Sequence, residues 1–98
     1  MDDVNRIAGT VMAVKILKNA AQCKVCGEIV ESHAVHEMVE CSCGELAVDG
    51  GLSYIRRVVD SISNMVELSE VEGDPAEVQV LVITSGKIVP KTLQELRV

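Results

Sequence analysis

Two cysteine pairs set the strongest constraint on what this chain can fold into. Two residues separate Cys23 from Cys26, one residue separates Cys41 from Cys43, and a glycine directly follows each pair. Such a glycine can supply the positive φ that a tight metal-binding turn requires. Two turns of this kind at the ends of neighbouring strands bring four thiolates around one ion. The sequence therefore predicts a closed, tetrahedral metal site with these cysteines as ligands.

The four-sulfur donor set favours zinc in a structural role. Zinc prefers four-coordinate sulfur sites, and four thiolates leave no open position for water. Iron takes the same ligands, and the sequence does not separate the two metals. The one-residue spacer of the second pair is tighter than usual, so two alternatives stay open: reduced cysteines that bind nothing, and a redox role. His33 and His36 lie between the pairs as replacement ligands, although four sulfurs already fill a tetrahedron.

The composition constrains the core and the oligomeric state. The chain of 98 residues contains no Phe or Trp and a single tyrosine, Tyr54, so aliphatic side chains must form the core. Hydrophobic residues make up 48% of the chain, which is more than a small domain readily hides by itself. We therefore expect one domain, residues 1–98, that forms a homo-oligomer.

Charge and hydropathy exclude several classes of protein. The formal net charge of −6 argues against general nucleic-acid binding, because attraction to phosphate is the sequence-independent part of such binding. The start MDDVNR lacks the basic region of a signal peptide, and no apolar run approaches the ~20 residues of a membrane span. We expect a cytoplasmic protein without membrane association. In that reducing compartment, cysteines more often bind metal than form disulfides.

The periodicity of apolar residues predicts an α+β fold. An apolar stripe with helical spacing predicts an N-terminal amphipathic helix that ends near Ala13, with a lead-in strand to residue 22. The stripe consists of Val4, Ile7, Ala8, Val11 and Met12. Over residues 23–59, short β-compatible segments predict a small, zinc-clipped antiparallel β-meander, with a hairpin turn at Gly50 and Gly51.

Residues 60–98 are predicted as a connector followed by a strand and a helix. Residues 60–77 are acidic without Lys or Arg, which predicts a solvated connector, with helix-like spacing over residues 61–71. Residues 78–83 alternate aliphatic side chains onto both faces, so we expect a strand buried on both sides, either central or at a subunit contact. A short helix from Pro90 would then end the chain, because proline is favoured in a first helical turn.

The cysteine segment resembles a known family. Residues 23–57, CKVCGEIVESHAVHEMVECSCGELAVDGGLSYIRR, are similar to small proteins of bacteria and their phages that have no assigned function. The matching positions are Cys23, Cys26, Gly27, Glu28, Glu31, Ser32, His36, Cys41, Cys43, Gly44, Val48, Asp49, Gly50, Gly51, Tyr54, Arg56 and Arg57. Glu37 and Met38 depart from the pattern, which has Asp and Phe there. The resemblance implies a zinc-ribbon-like module and a phage association, and it implies no mechanism.

The second half of this segment contains residues that a structural metal site does not require. They are Asp49, Gly50, Gly51, Tyr54, Arg56 and Arg57. Paired glycines admit a ligand close to the backbone, arginine grips phosphate or carboxylate, and tyrosine offers a stacking face. These residues predict a binding site for a small nucleotide-like molecule. The structural alternative is a hairpin turn in which Asp49 pairs with Arg56 or Arg57 and Tyr54 packs internally.

Signatures of catalysis are missing from the sequence. There is no Gly-x-Ser-x-Gly elbow, and TSGK at residues 84–87 lacks the earlier glycine of a phosphate-binding loop. We therefore predict a non-catalytic protein and retain three hypotheses. The first is a module that binds a host or phage protein. The second is a sponge that sequesters a nucleotide-type signal used in anti-phage defence. The third is a zinc-ribbon transcription regulator, which the net charge of −6 disfavours.

Overall fold

The computed structural model describes residues 14–97, and these residues form mostly β-strands. The strands are β1 (Lys15–Lys18), β2 (Ala20–Cys23), β3 (Ile29–Glu31), β4 (Val39–Glu40), β5 (Leu46–Asp49), β6 (Ile55–Val59), β7 (Met65–Glu67), β8 (Glu70–Glu72), β9 (Gln79–Thr84) and β10 (Lys87–Thr92). Single 3₁₀ turns occupy Ile62–Asn64 and Pro75–Glu77, and helix α1 spans Leu93–Leu96.

The strands form three sheets. The five-stranded sheet has the order β10-β9-β6-β5-β4, the three-stranded sheet has the order β3-β2-β7, and β1 pairs with β8. All pairings are antiparallel except β6 with β9, which run parallel. Residues 60–78 make the crossover that a parallel pair needs, and this crossover supplies β7 to the three-stranded sheet and β8 to the two-stranded one.

The core lies between the inner faces of the five-stranded and three-stranded sheets. Successive side chains of a strand point to opposite faces, so alternate residues of β6 are buried and half-buried. The buried set contains Ala21, Cys23, Val30, Cys41, Leu46, Val48, Ile55, Val59, Met65, Val78, Val80, Val82 and Leu93. Every member is aliphatic or sulfur-containing, as the composition requires, and two of the four cysteines belong to it.

One ion pair lies completely buried between the two sheets. Arg57 occupies the inner face of β6 with Val48 and Val82 as its neighbours on the adjacent strands. Its guanidinium donates to both carboxylate oxygens of Glu67 on β7, at 2.8 and 2.6 Å. Both side chains have no exposed surface. A bidentate pair of this kind fixes the relative position of the two sheets.

The remaining donors of Arg57 are also satisfied within the protein. They reach the Asn19 Oδ1 atom at 2.7 Å, the Ser69 hydroxyl at 2.8 Å, and the backbone carbonyls of Ala20 and Arg56. Each of the five N–H groups of the guanidinium therefore has an acceptor available. This is the condition under which a buried charge is tolerated.

The α+β prediction is wrong for the described residues, which form a sheet-rich fold with one four-residue α-helix. The predicted N-terminal helix lies outside the described residues, whereas β1 agrees with the predicted lead-in strand. The helix-like spacing at residues 61–71 is overridden by sheet pairing, since this segment contains β7 and the start of β8. None of the described helices has the length and hydropathy that a membrane crossing requires.

The acidic segment is part of the fold, not the solvated connector that its charge predicted. Glu67 is buried against Arg57. On the surface, Glu70 and Glu72 of β8 lie opposite Lys18 and Lys15 of β1. Local composition hides these pairings because the basic partners lie about fifty positions earlier in the chain. Opposite charges across a strand pair stabilise it modestly.

The C-terminal region corrects two further expectations. β9 is central in its sheet, but it is buried on one face only: Val80 and Val82 point inward, while Leu81 on the outer face is 43% exposed. Pro90 does not start a helix, because it lies within the edge strand β10. The helix begins instead after Thr92, whose hydroxyl and Glu95 form a reciprocal cap.

We predict that Arg57→Met lowers the free energy of unfolding by about 3–5 kcal/mol, because it leaves the Glu67 carboxylate buried without a partner. The double variant Arg57→Met, Glu67→Leu should recover most of this loss, since no unpaired charge remains. Urea unfolding of Arg57→Met, of Glu67→Leu and of the double variant measures both effects. Lys15→Met, which removes an exposed charge opposite Glu72, serves as the control and should cost less than about 1 kcal/mol. A similar small cost for Arg57→Met would contradict the role assigned to the pair.

Candidate metal centre

The four cysteines converge on one point at the end of the core. Their Sγ atoms all lie within 4.8 Å of one another. The Sγ atom of Cys43 is 3.6 Å from those of Cys23 and Cys41. Sulfurs at the corners of a tetrahedron with Zn–S distances of ~2.3 Å would be ~3.8 Å apart, whereas a disulfide needs ~2.05 Å. All four are free thiols, so the spacing fits a four-coordinate metal ion.

The two cysteine turns have closely similar backbone geometry. In the first turn, the Cys23 N–H donates to the Glu28 carbonyl and its own carbonyl accepts from Gly27. In the second, Cys41 donates to the Leu46 carbonyl and accepts from Gly44. Both glycines have a positive φ, 83° and 80°, as the sequence predicted. The one-residue spacer of the second pair therefore does not prevent an equivalent turn.

Backbone N–H groups point at the sulfurs of both turns. The Cys26 N–H lies 3.5 Å from the Cys23 sulfur, and the Leu46 N–H lies 3.4 Å from the Cys41 sulfur. Four thiolates around a divalent ion leave a net charge of −2, and such N–H donors offset part of it. Two cysteines are buried and two are exposed, so the site joins the core to the surface.

The thiol pKa values also reflect this clustering. Burial opposes ionisation of Cys41, but hydrogen bonds from the Leu46 N–H and the neighbouring thiols lower its pKa to about 6. The Glu45 backbone hydrogen bond acts to lower the pKa of Cys43, yet desolvation and its contacts with the other three sulfurs raise it to about 12. The close approach of the sulfurs thus favours the thiolate at Cys41 and opposes it at Cys43. A cation bound at the centre would favour the thiolate form of all four.

A carboxylate that the sequence did not single out as functional connects the two turns. Glu28, in the loop after the first cysteine pair, accepts from both the N–H and the hydroxyl of Ser42, each at 2.6 Å. These two hydrogen bonds lower the pKa of Glu28. The contact holds the second turn against the first, and it explains an acidic residue directly after Cys-x-x-Cys-Gly.

The Asp-Gly-Gly segment forms the predicted hairpin turn and also packs against another loop. It connects β5 to β6, whose ends pair at Asp49 and Arg56. The Gly51 N–H donates to the Ser32 hydroxyl at 2.9 Å, and that hydroxyl donates to the Glu37 carbonyl at 2.7 Å. A Cβ at Gly51 would overlap the backbone of Ala34 and Val35. Gly51 is therefore required by the approach of the 32–37 loop.

The buried Asn19 fastens the same hairpin from the other side. Its amide nitrogen donates to the backbone carbonyls of Asp49, Gly51 and Tyr54 at 2.9–3.1 Å. Its oxygen accepts from Arg57. A continuous polar network thus runs from the core ion pair through Asn19 to the hairpin. Neither Asn19 nor Glu67 carries a local sequence signal for this role.

Of the six residues predicted to bind a ligand, only Tyr54 and Arg56 remain partly exposed. Arg57 has no exposed surface and has acceptors for all its donors, so it has no group to offer a ligand. Gly50 and Gly51 are buried. Asp49 is buried and is paired with Arg56. Arg56 on β6 and Tyr54 directly before this strand stay half-exposed, with the Tyr54 hydroxyl 3.3 Å from the His36 Nδ1 atom.

The two histidines lie away from the sulfurs. His36 contacts Tyr54, and the Nε2 atom of His33 lies 3.3 Å from a carboxylate oxygen of Glu31. Within the described part of the chain, the group of residues arranged to hold a metal ion contains the four cysteines and neither histidine.

Comparison with known proteins gives one family match. Residues 15–59 match a family described as Domain of unknown function (DUF7695). This segment contains the four cysteines and the hairpin, and the match confirms the similarity of the cysteine segment to an uncharacterised family. No curated protein and no solved structure matches the chain.

We predict one zinc ion per chain in protein purified under reducing conditions, measured by elemental analysis and native mass spectrometry. Cys26→Ala should abolish stoichiometric zinc, because it removes one corner of the tetrahedron. Strong chelators should lower the melting temperature of the parent chain, since metal binding contributes to folding. Ser42→Ala, between two predicted ligands, is the control and should retain zinc. Protein with reduced thiols and no metal would contradict the site.

The loop that packs on Gly51 should make stability depend on pH. The N–H groups of His33 and Ala34 hydrogen-bond to the Glu37 carboxylate and lower its pKa from its ordinary value of 4.5. A carboxylate whose pKa is lower in the folded state stabilises the fold at pH values above its unfolded-state pKa. This stabilisation is lost as the pH falls through its folded-state pKa. Glu37→Gln should therefore melt at a lower temperature than the parent at pH 7, with the difference shrinking progressively as pH falls below the ordinary glutamate value of 4.5. A difference that is constant across this range would contradict the assignment.

Proposed function

We propose that this chain is a non-catalytic, zinc-stabilised module that binds another protein in the cytoplasm. The observation that carries the proposal is the tetrahedral spacing of four sulfurs at the end of the core, with N–H groups directed at them. A site closed by four thiolates supports structure and leaves no position for substrate. The resemblance to proteins of bacteria and their phages suggests a host or phage protein as the partner.

Apolar side chains around the cysteine turns support a protein partner. Ile29 on β3 is 57% exposed, and it lies on the outer face of the three-stranded sheet next to Gln22, which is flanked on its other side by Val66. Val25, between the first two cysteines, is 61% exposed. We name Val25, Ile29 and Val66 the cysteine-turn patch. Neighbouring exposed aliphatic side chains, when they form a contiguous patch, are typical of an interaction site.

The metal would contribute to binding by fixing the turn in advance. A free loop loses conformational entropy when it is ordered on a partner, at a cost of ~0.5–1.5 kcal/mol per immobilised side chain. A turn already held by two metal ligands avoids much of this loss. The Glu28–Ser42 contact adds a second constraint at the same place. Metal binding and partner binding would therefore be coupled.

A small nucleotide-like ligand is the second candidate. Tyr54, directly before β6, and Arg56, two residues later, both remain half-exposed, which gives a stacking surface near a guanidinium. The pairing of Arg56 with Asp49 neutralises much of the charge that would attract phosphate. This makes sequestration of a nucleotide signal the weaker proposal. A transcription regulator is weaker still, because the net charge of −6 opposes contact with DNA.

The proposal is tested by affinity capture from host cells with the zinc-loaded chain, followed by reconstitution of the complex from purified components. We expect a stoichiometric partner whose binding is lost when Val25 and Ile29 are both replaced by Ser. The control Ile88→Ser alters an equally exposed side chain on a different sheet and should retain the partner. If no stoichiometric partner is found, or if both variants bind equally, protein binding by this patch is wrong. A nucleotide-sized mass that co-purifies and is lost in Tyr54→Ala would favour the second candidate.

A further inference from the structure

The four clustered cysteines differ in their access to solvent. Cys23 and Cys41 are buried, with 0% and 4% of their surface exposed, whereas Cys26 and Cys43 are exposed. A small oxidant dissolved in water therefore meets Cys26 and Cys43 first, because the oxidation of a cysteine depends on its thiolate character and its exposure. The cluster thus combines two accessible sulfurs with two protected ones.

Cys43 is an exposed cysteine that lies directly beside both buried sulfurs. Its Sγ atom is 3.6 Å from that of Cys23 and 3.6 Å from that of Cys41. A disulfide bond is ~2.05 Å long, so an approach of roughly 1.5 Å would form either bond. A sulfenic acid at Cys43 would therefore have a second sulfur close enough to condense with it.

Cys23 is the better placed of these two partners. Cys41 is separated from Cys43 by a single residue, and their turn is already fixed by the hydrogen bond from the Gly44 N–H to the Cys41 carbonyl. Because disulfide geometry is specific, a bond inside this turn requires its own backbone to distort. Cys23 lies on the other turn, and two separate turns can approach each other without a change in the shape of either. The geometry favours a bridge between the turns.

We propose that Cys43 and Cys23 are a redox-sensitive pair, which hydrogen peroxide converts to a disulfide with release of the ion held by the four sulfurs. The Cys43 thiolate attacks one peroxide oxygen, the O–O bond breaks, and the departing hydroxide takes a proton from solvent to become water. Cys43 is then a sulfenic acid. The Cys23 thiolate attacks its sulfur, the S–O bond breaks, and a second hydroxide leaves and is protonated. The two sulfurs lose two electrons in total, and the peroxide gains them.

This disulfide would remove two of the four ligands at once. Cys26 and Cys41 alone do not provide the four-coordinate sulfur set of a structural zinc site, so the ion would be released. The new bond joins the same two turns that the ion connected, and oxidation therefore exchanges a metal link for a covalent one. Val25 lies between Cys23 and Cys26, so its turn would keep one anchor and lose the other. This regulation rests on the zinc centre of the proposed function.

The test treats the full-length, zinc-loaded chain with one equivalent of hydrogen peroxide. A chromophoric chelator records the zinc released, and peptide mass spectrometry maps the disulfide. We expect loss of the bound zinc, loss of two of the four free thiols, and a link between Cys23 and Cys43 within one chain. Reduction with dithiothreitol followed by addition of zinc should restore the metal content, because a disulfide is reversible.

Cys26→Ser and Cys43→Ser are the matched variants, because each removes one exposed sulfur of the cluster. After the same treatment, Cys26→Ser should still form the bridge from Cys43 to Cys23, whereas Cys43→Ser should not form a bridge at Cys23. If either variant fails to fold, the disulfide map of the parent chain decides. A parent chain that keeps its zinc, or that links a different pair, overturns this inference and leaves the metal centre standing. A chain that contains no zinc before oxidation overturns both.

Discussion

The architecture depends on one buried ion pair. Arg57 and Glu67 come from different sheets, and both lose all contact with solvent. Removing two charges from water is costly, and the cost is met because every donor of the guanidinium finds an acceptor. Through Asn19, the same guanidinium is linked to the hairpin turn over residues 49–54. A chain with almost no aromatic residues thus uses directional polar contacts where other small domains use ring packing.

The cluster of four cysteines is the second fixed point, and it lies at the surface end of the core. Cys23 and Cys41 belong to the buried set, so an ion held by the four sulfurs would connect directly to the packed interior. Glu28 then ties one turn to the other. The centre and the ion pair constrain the fold at separate places, which suits a domain whose aliphatic core alone supplies limited stability. Between them, the loop over residues 32–37 is held by Ser32 and Gly51.

Local sequence patterns were sufficient to predict the clustering of the cysteines, but they did not predict the fold class. Cysteine spacing and the following glycines predicted the clustering because a turn is determined by adjacent residues. The same is true of the hairpin at Gly50 and Gly51. The acidic segment was misassigned because its pairing partners, Arg57 and the lysines of β1, lie in other parts of the chain. Arg57 was assigned to a ligand for the same reason: its acceptors, Asn19, Ser69 and Glu67, lie in other segments of the chain and carry no motif.

The parallel pairing of β6 with β9 has a consequence for how the chain reaches its native state. β6 ends at residue 59, while both β9 and the partner of Arg57 come later in the sequence. The segment that matches the family, residues 15–59, therefore contains the metal ligands but lacks the strand and the carboxylate that complete its own core. During synthesis the cysteine turns can form early, because their residues are close in sequence. The five-stranded sheet forms later, because pairing β6 with β9 closes a long loop and therefore costs more conformational entropy. An ion bound by the cysteines would order their turns first, and the core is not complete until the chain has passed Leu93.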